Sequence, residues 1–185
     1  MIGLLDGLVH RIHLRRSTAR TAVAATPVRH GHCALAVSNE MTAMGMRRSS
    51  MGHNKLVQIA QGRALAQGHE LIVEMPEVWR YGPVLRSLYL VQNHKGHEIL
   101  EAPLMAGPFD PAPRIDPDDV WTLDLIRRVV DDHAGTTCIR LSEMMHGDDT
   151  PWRIEAESND FRVPIGHAVP AHRILKHFSA LAEAA

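Results

Sequence analysis

The sequence predicts a mainly α fold, a compact bundle of five to six helices with a small β-hairpin preceding a Tyr-Gly-Pro-Val turn. Three observations lead there. Apolar residues recur at helical spacing through most of the chain after about residue 32. Glycine and proline punctuate those stretches where helices should end. Only two short runs, Leu71 to Glu74 and Val78-Trp79, are β-prone.

Taken in order, Cys33 to Met44 is apolar and rich in small residues, and reads as a helix stopped at Gly45. Ser49 or Ser50 can cap the next helix, whose buried face is Leu56, Val57, Ile59, Ala60, Ala64 and Leu65, with Gly68 at its C-terminal end. Met75-Pro76-Glu77 can turn a hairpin between the two β-prone runs. A helix then opens at Pro83 and runs to about His94, with Val84, Leu85, Leu88 and Val91 facing inward. Residues 102–117 hold five of the eleven prolines and form a surface loop, because neither a helix nor an interior strand survives that density. Asp116 caps and Pro117 opens a helix with Trp121, Leu125, Ile126, Val129 and Val130 on its apolar side. A shorter helix after Gly135 carries Ile139, Leu141, Met144 and Met145. The stretch from Gly147 to Pro151 breaks the chain before Trp152, and a last helix from Pro170 to Ala184 includes Ile174, Leu175, Phe178 and Leu181.

Composition narrows the function. The 185 residues are 45% hydrophobic, which suits one domain with a real core, and the net charge of −1 lacks the basic field of a dedicated nucleic-acid binder. No nucleic-acid partner is therefore expected. No apolar run approaches a membrane span, and two distant cysteines, Cys33 and Cys138, make no disulfide framework, so the cytoplasm is the expected compartment. Residues 1–30 form a basic extension with five arginines against one acid, Asp6. Ile2, Leu4, Leu5, Leu8, Val9 and Ile12 could place it in an amphipathic helix that touches a membrane or a partner, and its composition weakly resembles a transit peptide. The plainer reading is an extension that covers the domain, or a loose tail, and it outweighs membrane contact. Residues 31–185 form the domain proper.

Catalytic chemistry finds little support. His30-Gly31-His32-Cys33 is the densest group of candidate metal ligands, but no Cys-x-x-Cys or His-Glu-x-x-His accompanies it, so it reads as the lead-in to a helix and no metal or other cofactor is expected. His94 and His97 read as a solvated helix end. Cys138 and Cys33 read as core, and the pairs Asp118-Asp119, Asp131-Asp132 and Asp148-Asp149 as helix-start or solvated carboxylates. No phosphate-binding glycine loop or nucleophile elbow occurs, so no catalytic residue is expected. Trp79, Trp121 and Trp152 read as core before recognition surface; a groove lined by Trp79, Tyr81 and Trp152 would be an aromatic anchor for a partner chain.

Trp79-Arg80-Tyr81-Gly82-Pro83-Val84 carries the most information. Glycine can take positive φ and proline fixes its own φ, so the segment dictates a turn and contains no reactive group. Together with Glu77-Val78 before it and Leu88-Tyr89 after it, with Lys55-Leu56 following Met51, and with Leu141-Ser142, His146 and Pro151-Trp152, the segment resembles the Panacea antitoxin domain. That is the SocA-like, phage-associated protein family. The resemblance covers about residues 32–180 and includes the helix from Ile174 to Phe178. Gly52-His53 stands where the family has a further Lys-Leu pair, and Gln58 where an aromatic residue is common.

The resemblance implies a non-enzymatic antitoxin that neutralises a cognate protein toxin by direct contact. Its SocA branch implies in addition a proteolytic adaptor that delivers its toxin to the ClpXP protease. Trp79, Tyr81, Gly82, Pro83, Val84, Lys55, Leu56, His146, Pro151 and Trp152 would be the signature residues that hold the fold or meet the partner. The alternative is a phage-carried adaptor or anti-defence protein that binds a host factor and has no toxin of its own.

Overall fold

The computed structural model describes residues 27–184. Of the expected N-terminal extension, positions 1–26 lie outside the described residues. Val28–His32 forms strand β1, so His30 and His32 belong to a strand and not to a helix lead-in. Among the described residues seven α-helices follow in chain order with three more short strands: α1 (Ala34–Ala43), α2 (Ser50–Ala66), β2 (His69–Ile72), β3 (Glu77–Trp79), β4 (Gly82–Val84), α3 (Arg86–Gln92), α4 (Val120–Asp132), α5 (Cys138–Met144), α6 (Pro151–Glu157) and α7 (Ala171–Glu183). The fold is mainly α, with one helix more than expected. The addition is α6, where Thr150 accepts from the Arg153 N–H and Pro151 occupies the first turn. Thr-Pro is a readable helix start, but seven residues behind a loop gave it little periodicity.

The strands pair differently from the expected hairpin. β2 runs parallel to β1, with Val28 opposite His69 and His32 opposite Ile72. β3 pairs antiparallel with β4, with Trp79 opposite Gly82, so Arg80-Tyr81 is the hairpin loop and lies inside the signature segment. The positive φ needed to turn falls on Gly82, at +108°. Because Gly82–Val84 is held as a strand, α3 begins at Arg86 and not at Pro83. The helix expected from Asp116 and Pro117 also starts later: Asp116 accepts from Asp118 N in a turn, and Asp119 caps α4 by accepting from Thr122 N at 3.1 Å. Asparagine and acid side chains of α1 strap the proline-rich loop. Asn39 bonds both backbone groups of Leu104 as well as Pro113 O, and Glu40 takes Arg114 in a two-pronged ion pair.

α2 lies at the centre. Thirteen of its seventeen residues are buried, as a helix packed on every side should be. Its expected apolar face is all buried, and it touches α1, α3, α4, α5, α7 and β2. The main core gathers α1, α2 and α4 around Met41, Leu56, Leu88, Leu125, Ile126 and Leu141. A second cluster under α6 and α7 joins Leu65, Val78, Trp152, Ala156, Val169 and Ile174. Ile139 of α5 and Leu175 and Leu181 of α7 are exposed. No helix among the described residues is long and apolar enough to cross a membrane.

Candidate functional site

The polar residues of α2 hold the backbone around the hairpin. Asn54 donates to Leu85 O at 3.0 Å and accepts from Leu85 N at 3.1 Å. Gln58 donates to Asn54 Oδ1 and to Pro83 O. Gln61 Oε1 accepts from the N–H groups of both Leu71 and Ile72. Asn54, Gln58 and Gln61 recur at i, i+4 and i+7, the spacing of an apolar stripe, but here a stripe of amides meets backbone. A buried amide left without such partners would be costly, so these residues fix where the strand segments sit.

The signature residues converge on one point. Lys55 Nζ donates to Pro83 O at 2.6 Å, and burial pushes its pKa down from 10.5 to about 8. His146 donates from Nδ1 to Ser142 O, which turns its Nε2 toward Gly82. A Cβ on Gly82 would lie 2.7 Å from that Nε2 and 3.2 Å from Lys55 Nζ. The His146 ring meets Trp152 edge-on at 4.8 Å, and Trp152 Nε1 donates to Trp79 O at 3.0 Å. Pro151 starts the helix that carries Trp152, and Leu56 is fully buried in the main core. Val84 pairs with Glu77 across the hairpin. Residues from α2, the hairpin, the end of α5 and α6 thus lock together around the Gly82-Pro83 backbone.

Only one of the three tryptophans is core. Trp152 is buried, whereas Trp79 and Trp121 are half-buried. Trp79 bonds Glu77 Oε2 through its indole N–H and meets Tyr89 edge-on at 4.9 Å. Tyr81 is 79% exposed, with Arg80 over its ring. Trp79, Tyr81 and Trp152, the alternative to a core reading of the tryptophans, therefore do not line a common groove. A cleft of about 460 Å³ does open between α2, α6 and α7, lined by Trp152, Pro83, Ile174, Phe178 and Leu181, but neither Trp79 nor Tyr81 reaches it.

A second polar cluster joins β1 to α4. His30 Nδ1 and His32 Nε2 lie 3.1 and 2.9 Å from one oxygen, Asp119 Oδ2. The three ligand atoms lie within 4.8 Å of one another. Thr122 Oγ1 stands 3.2 Å from His30 Nδ1 and 3.4 Å from His32 Nε2. His30 Nε2 meets His69 Nδ1 at 2.9 Å, and Trp121 stacks on both rings. Partial burial would raise the Asp119 carboxyl, but hydrogen bonds from Thr122, His32 and His30 hold it at about 2. Cys33 stays out of the cluster: it caps α1, its Sγ accepting from Ala36 N. Cys138 opens α5, half-buried, with Sγ beside Ser49 Oγ. His94 and His97 are exposed, and His94 sits in the 3₁₀ turn Asn93–Lys95 that follows α3, in keeping with the solvated helix end read from the sequence. From the sequence Asp119 reads only as a helix-start carboxylate, which it also is, and His69 carries no signal, because they join His30 across 89 and 39 positions of chain. No family model, curated protein or solved structure gives a significant match to this chain.

Proposed function

We propose that this protein is an antitoxin of the Panacea type, a non-enzymatic cytoplasmic binder that neutralises a cognate toxin by occluding it. The observation that carries the reading is the convergence around Gly82. Lys55, Pro83, His146 and Trp152 resemble a family signature while lying far apart in sequence, and they meet in one bonded cluster. A signature of that kind preserves a shape. The shape it preserves is a hairpin whose tip presents Tyr81 to solvent; Tyr89 of α3, edge-on to Trp79 of the same hairpin, and Leu90 are exposed as well. Aromatic side chains on a rigid support are good anchors for a protein partner, since they bury much area at small entropic cost.

The partner face is the outer side of this hairpin and α3, and the interior cluster supports it. Delivery of the toxin to ClpXP would be a further step on the same complex. Co-expression with the neighbouring gene tests the reading: the antitoxin restores growth and co-purifies with the toxin. Tyr81→Ala should abolish both while leaving the melting temperature unchanged. A harmless neighbouring gene, together with capture of a host protein through Tyr81, would replace this reading with that of a host-factor adaptor.

A further inference from the structure

We propose that His30 Nδ1, His32 Nε2 and Asp119 Oδ2 form a binding site for a zinc ion that ties β1 to the start of α4. The ligand set is right in kind: two imidazoles and a carboxylate leave a fourth position open for water, as at zinc sites with three protein ligands. It is also right in spacing. Zinc holds such ligands at about 2.0–2.2 Å, so tetrahedral neighbours stand about 3.3–3.6 Å apart. The nitrogens now stand 3.1 and 2.9 Å from Asp119 Oδ2. An ion enters when these contacts open by about 0.5 Å.

Three further features point the same way. His30 and His32 flank Gly31, whose φ of +71° falls at an irregularity in the β1 register, and both rings reach the same Asp119 oxygen and stack 5.9 Å apart. Asp119 divides its work: Oδ1 caps α4 by accepting from Thr122 N, and Oδ2 alone faces the histidines. The far side of His30 is oriented as a ligand's should be. An imidazole bound to metal through Nδ1 carries its proton on Nε2, and His30 Nε2 lies 2.9 Å from His69 Nδ1, which can accept it. Trp121, stacked on His30 and His69, walls the site, and all three ligand side chains are largely shielded from solvent. A dry flank and an oriented histidine are what a bound ion needs beyond its ligands. The site shares no residue with the Gly82 cluster, and its existence does not depend on the antitoxin reading.

The test uses the full chain, stripped with a chelator and titrated with zinc by calorimetry, with cobalt(II) as a visible probe. One equivalent is expected to bind, to raise the melting temperature and to give cobalt bands of a tetrahedral site. His32→Gln and Asp119→Asn should each weaken zinc binding by more than 100-fold. Asparagine caps a helix as well as aspartate, so Asp119→Asn keeps α4. His69→Gln, which removes the orienting contact and the ring stacked on Trp121 but none of the three ligands, should weaken binding by about 10–100-fold. The pair His94→Gln and His97→Gln, both exposed, should bind zinc as the parent chain does. The proposal fails if the folded parent chain takes up no stoichiometric zinc. It also fails if His32→Gln and Asp119→Asn bind as tightly as the parent.

Discussion

Alanine at position 82 would bring its methyl group to 2.7 Å from His146 Nε2 at a φ of +108°. Both faults act at once: the backbone conformation alone costs a β-carbon-bearing residue about 1–3 kcal/mol, and the methyl has no room. Gly82→Ala should therefore lower the urea midpoint and lose partner binding together, whereas Tyr81→Ala loses binding alone. Equal stability of Gly82→Ala and the parent chain would remove the cluster's structural role. Among the tryptophans the large loss belongs to Trp152, buried and bonded to Trp79 O; Trp152→Ala should cost about 3–5 kcal/mol and Trp79→Ala less. A third residue sets an acid limit. His53 is fully buried on α2, bonded to Ser38 Oγ, and burial together with the Arg48 charge pushes its pKa from 6.5 down to about 4. The folded state thus disfavours the imidazolium. Above pH 6.5 the ring is neutral folded or unfolded and stability is unaffected. As pH falls from 6.5 to 4 the unfolded chain gains a proton that the fold resists, and about 3 kcal/mol is lost. Melting followed from pH 7 to 4 should show this decline, and His53→Gln should flatten it. An equally steep decline in that variant would assign the effect to other groups.

α2 and α7 meet at Gly62, where a Cβ would lie 2.2 Å from the Phe178 ring. In an exposed helix, glycine to alanine gains about 1 kcal/mol. Here the ring is held between neighbours, and overpacking of this kind costs about 1–3 kcal/mol. Gly62→Ala should accordingly destabilise in urea titrations, and adding Phe178→Leu should restore part of the loss; a stabilised Gly62→Ala would mean that α7 shifts freely. The same helices show what was legible in the sequence. α1, α2, α4 and α7 announce themselves by apolar spacing and end signals within a few residues. β1 with β2 did not, because parallel pairing joins segments some forty positions apart and nothing local encodes it. Asn54, Gln58 and Gln61 look like a solvated face until the strands they bind are in place. The Gly82 cluster was legible only as an ordered set of residues, without its contacts. For the zinc site the sequence supplied His30 and His32, while Asp119 came from 87 residues beyond His32 in place of the adjacent Cys33.

At the scale of the molecule, the two apolar clusters are joined in two ways. α2 contributes Leu56, Val57 and Ala64 to the main core and Leu65 to the smaller one, and the Phe178 side chain packs against both. The smaller cluster holds Val78 of the hairpin itself and Trp152, which bonds the hairpin backbone at Trp79 O, so the proposed partner face depends on the coupling. Cooperative unfolding requires that losing either cluster exposes the other. Phe178→Ala removes the one side chain among the described residues that packs against both, while leaving the α2 backbone intact. In the parent chain, native-state hydrogen exchange should give the most protected amides of α2 and α6 the same opening free energy. In Phe178→Ala the α6 and α7 amides should open at lower free energy than those of α2, and toxin rescue should weaken although Tyr81 and its neighbours are untouched. Should α6 and α2 amides remain matched in that variant, α2 alone carries the coupling. Weakened rescue would then have to arise from the cleft that Phe178 lines and not from a loosened hairpin.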